Sequence, residues 1–149
     1  MKLTVREAER VDLAAIVRMI RGLAEFEQLA DQVRLDPDEL AGHLFGEDPA
    51  ARVLIAELDG HPVGMALWFR TFSTFLGRTG IWLEDLYVDP EARGAGVGRA
   101  LLAHLRTLTD GRIEWSVLDW NQKAIDFYES IGARPDGSGW TMYRWPPTR

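Results

Sequence analysis

Arg93-Gly94-Ala95-Gly96-Val97-Gly98 follows a predicted strand and leads into a predicted amphipathic helix. The strand, residues 81–88, is a nearly continuous apolar run, and the helix begins at Val97 and continues to about residue 108. Glycines at 94, 96 and 98 let the backbone approach a ligand closely, because they carry no Cβ atoms. Amides at the start of the helix lack partners within it, and the helix dipole favours an anion there. Arg93 adds a fixed positive charge, so this glycine loop (residues 93–99) predicts a pyrophosphate site.

Two common pyrophosphate-binding motifs do not fit the glycine loop. A Walker loop has Lys and then Ser or Thr after its last glycine, whereas Arg99 and Ala100 follow Gly98 here. The dinucleotide-binding motif requires glycine or alanine at position 99, where arginine stands. A glycine turn ahead of an ordinary surface helix is the alternative that involves no ligand.

Length and composition indicate one globular domain. The chain has 149 residues, 46% hydrophobic and 27% charged, which suffices for one domain with a core but not for two ordinary domains. We therefore predict a single domain over residues 1–149. No run of about 18 apolar residues occurs, and the N-terminus lacks the apolar segment of a signal peptide. These features predict a cytoplasmic protein with no membrane partner.

Residue usage narrows the possible chemistry. The net charge of −6 argues against nucleic acid and suits a cationic small substrate, although many proteins carry such an excess for solubility alone. The absence of cysteine excludes disulfides, thiolate metal sites and an acyl-cysteine intermediate. His43, His61 and His104 lack metal-ligand spacing, so we predict no metal.

Hydrophobic periodicity and turn residues predict the other elements. Asp36 and Pro37 have the residue types of a helix start, Asp59 and Gly60 those of a hairpin turn, and Asn121 that of a helix cap. Strands are predicted at 3–5, 53–58, 63–69, 81–88, 113–118 and 140–145, helices at 13–24, 37–45, 97–108 and 121–131, and a loop at 73–80. The order β-α-α-β-β-β-α-β-α-β predicts a mixed α/β sheet with helices on both faces.

The pattern Arg-x-x-Gly-x-Gly after a strand ending in Val-x-Pro fits Val88, Pro90, Arg93, Gly96 and Gly98. It resembles the acyl-coenzyme-A loop of the GCN5-related N-acetyltransferases (GNAT). Further segments, over essentially the whole chain, are similar to the diamine branch of that superfamily, the spermidine/spermine and thialysine acetyltransferases. These segments are residues 21–27, 83–88, 118–121, 127–128 and 139–140.

The resemblance implies the GNAT acyl-CoA N-acyltransferase fold, with a mostly antiparallel sheet and helices on both faces. Two central parallel strands splay apart in that fold, here residues 81–88 and 113–118, and the pantetheine arm of acetyl-CoA lies between them. The resemblance also implies a homodimer. The implied cofactor residues are Leu86, Tyr87, Val88, Arg93, Gly94, Ala95, Gly96, Val97, Gly98, Arg99, Asn121, Ala124 and Tyr128.

By the same resemblance, the amine substrate faces Phe26, Glu27, Glu84, Glu114, Trp115 and Ser116. The chain departs from the polyamine enzymes at two positions. Phe26 stands where they often carry tyrosine, and Ser138 stands where an acidic residue is expected. Leu118 and Asp119 are closer to the thialysine type.

Two residues are predicted to be catalytic. The resemblance makes Tyr128 the general acid, and a tyrosine of pKa about 10 can protonate a thiolate whose acid has a pKa of about 8.5. Tyr128 shares a helix face with Asn121 and Ala124, although aromatic residues at such spacing are often only core. Glu84 lies mid-strand with Trp82, Leu86 and Val88 as its period-two neighbours, which suits an acceptor of the ammonium proton. Asp85 is predicted to point to the opposite face as a solvated or helix-paired acid.

We therefore predict an N-acetyltransferase that transfers an acetyl group directly from acetyl-CoA to a small aliphatic amine, such as a diamine, polyamine, lysine or thialysine. Transfer to another amine, such as an amino acid, an aminoglycoside or a protein lysine, is one alternative. A non-catalytic acyl-CoA sensor is another, and it would need the glycine loop but neither Tyr128 nor Glu84.

Overall fold

The computed structural model describes residues 1–137 and 139–148, which belong to two compact units, Met1–Leu118 and Asp119–Arg149. The described part of the second unit contains one helix, α4 (Gln122–Ser130). The first unit contains β1 (Leu3–Glu7), α1 (Leu13–Phe26), α2 (Pro37–Phe45), β2 (Arg52–Leu58), β3 (His61–Ser73), β4 (Arg78–Val88), α3 (Val97–Arg106) and β5 (Ile113–Glu114). Every helix in these described ranges is too short or too polar to cross a lipid bilayer.

The sheet of the first unit has the strand order β1-β2-β3-β4-β5. Strands β1 to β4 are antiparallel to their neighbours, whereas β5 is parallel to β4. Asp59 and Gly60 join β2 to β3 with φ values of 50° and 82°, the positive angles of a tight hairpin turn. Only Ile81 and Trp82 of β4 pair with β5, although β4 continues to Val88. The parallel pairing therefore covers two residue pairs and ends where β5 ends, at Glu114.

Helices cover both faces of this sheet, which confirms the predicted arrangement. On one face, α1 and α2 pack against the sheet around a core of Ile16, Met19, Leu44, Val53, Ile55, Met65, Leu67 and Tyr87. On the other face, a Cβ atom at Gly64 of β3 would lie 2.9 Å from Val97 and 3.4 Å from Leu101 of α3. Glycine at this position therefore lets α3 approach the sheet closely.

Local signals place the helix ends correctly. The Asp36 carboxylate accepts hydrogen bonds from the amides of Asp38, at 2.8 Å, and Glu39, at 3.4 Å, and Pro37 is the first residue of α2. The Asn121 side chain caps α4 by accepting from the Ala124 amide at 3.2 Å. Gly132 follows α4 with φ of 99°, the positive value of a helix stop.

Three predictions about strands were wrong. The loop at 73–80 is shorter, because β3 and β4 keep pairing as far as Ser73 and Arg78, and these backbone hydrogen bonds outweigh the turn preference of the glycines. The strand at 113–118 ends at Glu114, where its pairing with β4 ends. Residues 140–145 form no strand in the described chain, and Trp140 and Trp145 are 83% and 96% exposed. Strand-like composition does not provide the backbone partner that a strand needs.

Two glycines inside helices provide a stability test with opposite expected signs. A Cβ at Gly22 of α1 would lie 2.7 Å from the Tyr87 hydroxyl oxygen, whereas a Cβ at Gly42 of α2 would meet nothing within 4 Å. We expect Gly22→Ala to lower the free energy of unfolding by about 1–3 kcal/mol through this steric clash. Gly42→Ala should raise it by about 0.5–1 kcal/mol, because alanine favours the helix. Urea unfolding measures both, and a stabilising Gly22→Ala would show that Tyr87 moves aside at little cost.

Candidate active site

The glycine loop starts from a firmly held position at the end of β4. Asp89 is 6% exposed, and its carboxylate accepts a hydrogen bond from Arg18 Nη1 of α1 at 2.8 Å. Its backbone N–H donates to the Val63 carbonyl oxygen at 2.7 Å. A single 3₁₀ turn, Pro90–Ala92, then leads into Arg93. These contacts connect the start of the glycine loop to both α1 and β3, so a helix and a strand hold it in position.

The backbone of the glycine loop fits a diphosphate group. Gly94 and Gly96 have φ values of 85° and 81°, which strain other residues, and a Cβ at either would meet no atom within 4 Å. Gly96 is the residue that caps α3, so the amides of residues 97–99 have no partner within the helix. The N–H donors in the first turn of α3 lie beside glycines, whose lack of side chains leaves space for a ligand. This arrangement suits the oxygens of a pyrophosphate.

Arg93, the first residue of the glycine loop, contacts the end of α1. Its Nε donates a hydrogen bond to the Val88 carbonyl oxygen at 3.4 Å. Its guanidinium carbon lies 5.0 Å from the centroid of the Phe26 ring. Phe26, which the sequence assigned to the amine, therefore contacts a residue assigned to the cofactor.

A β-bulge interrupts β4 at Glu84. Leu67 of β3 pairs with Asp85, whereas the next residue, Trp68, pairs with Leu83, so Glu84 is an extra residue in β4. Such a bulge sets two residues of one strand against a single residue of its partner and bends the strand. The bulge breaks the regular alternation of side chains that the sequence predicts for this segment.

The bulge changes which side chains share a face of the sheet. Asp85 and Tyr87 pair with Leu67 and Met65, whose side chains belong to the core under α1. Leu86 and Val88 alternate with them and lie on the face of α3. The prediction that Glu84 shares one regular face with Trp82, Leu86 and Val88 was therefore wrong.

Three carboxyl groups interact around this bulge. Burial, together with the negative charges of Glu84 and Glu27, raises the pKa of Asp85 to about 6. Burial also raises the pKa of Glu27, which follows the last residue of α1. Glu84 is exposed and accepts a hydrogen bond from Trp82 Nε1 at 2.9 Å. An arriving ammonium would stabilise all three carboxylates, so this acidic cluster (Glu27, Glu84 and Asp85) fits a cationic amine.

The environment of Asp85 differs from the prediction of a solvated or helix-paired acid. Asp85 is half-buried, and its surroundings disfavour its charge. Two adjacent acids in an otherwise apolar strand are the signal that could have revealed the bulge, because a regular strand would separate them onto opposite faces.

The other residues predicted for the amine site lie at β5 and just beyond it. Glu114 pairs with Trp82 across the parallel strands, and its carboxylate lies 4.0 Å from Arg112 Nε. Trp115 is half-buried and Ser116 is exposed. Ser138, which replaces an expected acidic residue, lies outside the described residues.

Asn121, Ala124 and Tyr128 belong to the second unit. The cap by Asn121 and the helical spacing place Ala124 and Tyr128 one turn apart on α4, as predicted. The ring of Tyr128 lies 5.6 Å from that of Phe127, centroid to centroid. The approach of these three residues to the cofactor stays a prediction.

A mixed sheet whose one parallel strand pair is connected through the glycine loop and α3 matches the acyl-CoA-dependent transferase fold that the resemblance implied. The model of the "Acetyltransferase (GNAT) family" matches residues 17–133, so the chain belongs to the GNAT acetyltransferase family. It is an N-acetyltransferase, and the family's donor is acetyl-CoA.

Two relatives and one solved structure illustrate this membership. The thialysine N-epsilon-acetyltransferase of Sus scrofa is 41% identical to the chain, covering 95% of the chain and 91% of the relative. The Bos taurus protein of the same name is 39% identical with the same coverage. An integron cassette protein from the mobile metagenome of V. cholerae has the same fold, with a TM-score of 0.80 at 24% identity over 99% of the chain and 94% of that structure.

Proposed function

We propose that this chain transfers the acetyl group of acetyl-CoA to a primary amine of a small aliphatic substrate of the thialysine, lysine or diamine type. The acidic cluster at the β4 bulge is the observation that carries the proposal, because it offers an ammonium group three carboxylates beside the part of β4 that is no longer paired with β5. The similarity to thialysine N-epsilon-acetyltransferases supports the same substrate class.

The residues proposed to hold acetyl-CoA are supported by two features of the first unit. Beyond Trp82, the edge of β4 that faces β5 has no partner strand in that unit, so the backbone of Leu86, Tyr87 and Val88 suits pairing with an amide-containing arm. The glycine loop supplies amides and arginine side chains for the pyrophosphate. When bound, acetyl-CoA supplies the activated acetyl thioester.

The acidic cluster would prepare the amine. An alkylammonium has a pKa of about 10.4 and must lose a proton before it can act as a nucleophile. Asp85, half-buried and without a cationic partner among the described contacts, attracts the ammonium into the site. Exposed Glu84 beside it can accept the proton and pass it to water. Tyr128 is proposed to donate a proton from its hydroxyl to the departing thiolate.

Three further properties belong to this proposal. Without cysteine, no acyl-cysteine can form, so the amine reacts directly in a ternary complex held together by the site. Neither the amine nor the tyrosine requires a metal. We also propose, from the resemblance, that residues 1–149 act as one N-acetyltransferase domain in a cytoplasmic homodimer. Sedimentation equilibrium would measure the mass of this dimer in solution.

A thiol-release assay with acetyl-CoA tests the proposed reaction. We expect turnover with thialysine, lysine, putrescine or spermidine, and at least tenfold lower kcat/KM with an aminoglycoside or a histone-tail peptide. The preferred amine among the first four shows whether the enzyme recognises chain length or the α-carboxylate. Coenzyme A binding without turnover of any substrate would contradict the proposal and support an acyl-CoA sensor. A preference for the aminoglycoside or the peptide would contradict the proposed substrate class and assign the enzyme to another one.

A further inference from the structure

We infer that Phe26 positions Arg93 for the pyrophosphate of the cofactor and is not part of the amine site. This inference rests on the proposed function, which assigns the pyrophosphate to the glycine loop. Phe26 is the last residue of α1, and Arg93 is the first residue of the glycine loop. Their contact is therefore a link between a packed helix and the loop that receives the cofactor.

Two contacts determine the position of the Arg93 guanidinium. Its Nε donates to the Val88 carbonyl oxygen at 3.4 Å, and its central carbon lies 5.0 Å from the centroid of the Phe26 ring. The aromatic contact is an attraction between the cation and the face of the ring, and the Phe26 ring offers the guanidinium no oxygen or nitrogen acceptor. Within residues 1–137 and 139–148, the Arg93 side chain hydrogen-bonds only through Nε, so both terminal nitrogens keep their donors for phosphate oxygens. Phe26 thus reduces the freedom of a long side chain without competing for the ligand.

The same contact makes Phe26 a poor partner for the amine. An ammonium binds an aromatic ring through the face of the ring, and the Arg93 guanidinium lies over a face of Phe26. A second cation brought to this ring would meet like-charge repulsion. The acidic cluster offers the ammonium three carboxylates and no such repulsion. The amine is therefore expected to bind at the carboxylates, and the ring of Phe26 serves the cofactor.

Replacement of the ring by an aliphatic side chain tests this role. We expect Phe26→Leu to weaken coenzyme A binding, measured by titration calorimetry, by about two- to fivefold, the effect of an exposed cation–π contact. The KM for acetyl-CoA should rise by the same factor, while the KM for the amine and kcat stay unchanged. Phe26→Tyr keeps an aromatic ring and should retain wild-type affinity. Phe75→Leu, at a 98% exposed phenylalanine, is the matched control and should change nothing.

A double-mutant cycle shows whether the effect passes through Arg93. We expect Phe26→Leu to have no further effect on coenzyme A affinity in an Arg93→Ala background, but its full effect in an Arg99→Ala background. An unchanged coenzyme A affinity with an altered amine KM would overturn the inference, and so would a full effect that persists without Arg93. If the wild-type chain binds no coenzyme A at all, the proposed function fails and the inference fails with it.

Discussion

Tyr128→Phe is expected to lower kcat by about 100- to 1000-fold while coenzyme A affinity stays within about twofold of wild type. The substitution removes one hydroxyl group and keeps the ring, so the packing of residue 128 against Phe127 is retained. The loss of rate follows from the role proposed for the hydroxyl, because the thiolate would leave without a positioned proton donor. Steady-state kinetics give kcat, and calorimetric titration with coenzyme A gives the affinity.

A second tyrosine in the same unit provides the control. Tyr143 is 91% exposed, so Tyr143→Phe makes the same chemical change at a surface position and should leave kcat unchanged. Thermal unfolding of both variants checks that neither change affects the fold. Wild-type turnover by Tyr128→Phe would show that the residue is only part of the packing of α4. An acyl-CoA sensor would keep its ligand binding in this variant and would show no turnover in either protein.

The sequence predicted correctly those features that depend on neighbouring residues. The hairpin turn at Asp59 and Gly60, the caps at Asp36 and Asn121, and the start of α3 at Val97 each depend on a few adjacent positions. The resemblance then added the parallel strand pair, which is specified by residues far apart in the chain. Local chemistry and a recognisable loop were together sufficient for the fold class.

The features that the sequence did not reveal depend on partners distant in the chain. The bulge at Glu84 depends on the register in which β3 pairs with β4 on its two sides, and residues 81–88 carry only an indirect sign of it, the adjacent acids Glu84 and Asp85. The strand predicted at 140–145 has suitable residues, but strand formation requires a backbone partner. The role of Asp85 was not predicted because its environment depends on the bulge and on its burial, and both depend on the pairing of β4 with β3.

Asp85→Asn is expected to have opposite effects on activity and stability. We expect kcat/KM for the amine to fall by about 100-fold, because the amide cannot attract the ammonium as the carboxylate does. At pH 8 the free energy of unfolding should rise by up to about 3 kcal/mol, because a pKa difference of one unit is worth about 1.4 kcal/mol. This gain arises because burial and the charges of Glu84 and Glu27 disfavour the Asp85 carboxylate in the folded protein.

The pH dependence of stability follows from the direction of the shift. The pKa of Asp85 rises from 3.8 to about 6 on folding, so the folded protein binds the proton more tightly than the unfolded chain does. The unfavourable effect of the carboxylate is therefore absent below pH 3.8, grows between pH 3.8 and 6, and is complete above pH 6. Urea unfolding at pH 8 should show the variant to be the more stable protein, and at the acidic end of this range the difference should vanish.

Kinetics and stability together separate a functional Asp85 from a structural one. In the wild-type enzyme, kcat/KM should fall as the pH drops through about 6, and this decrease should be absent from the residual activity of Asp85→Asn. Asp48→Asn, at an exposed acid, is the control and should leave both the profile and the stability unchanged. If Asp85 were retained for the sake of the fold, its replacement would lower the free energy of unfolding of the protein. A variant that is both inactive and less stable at pH 8 would therefore make Asp85 a structural residue, whereas lower activity in a more stable protein identifies a group whose charge is maintained for the substrate.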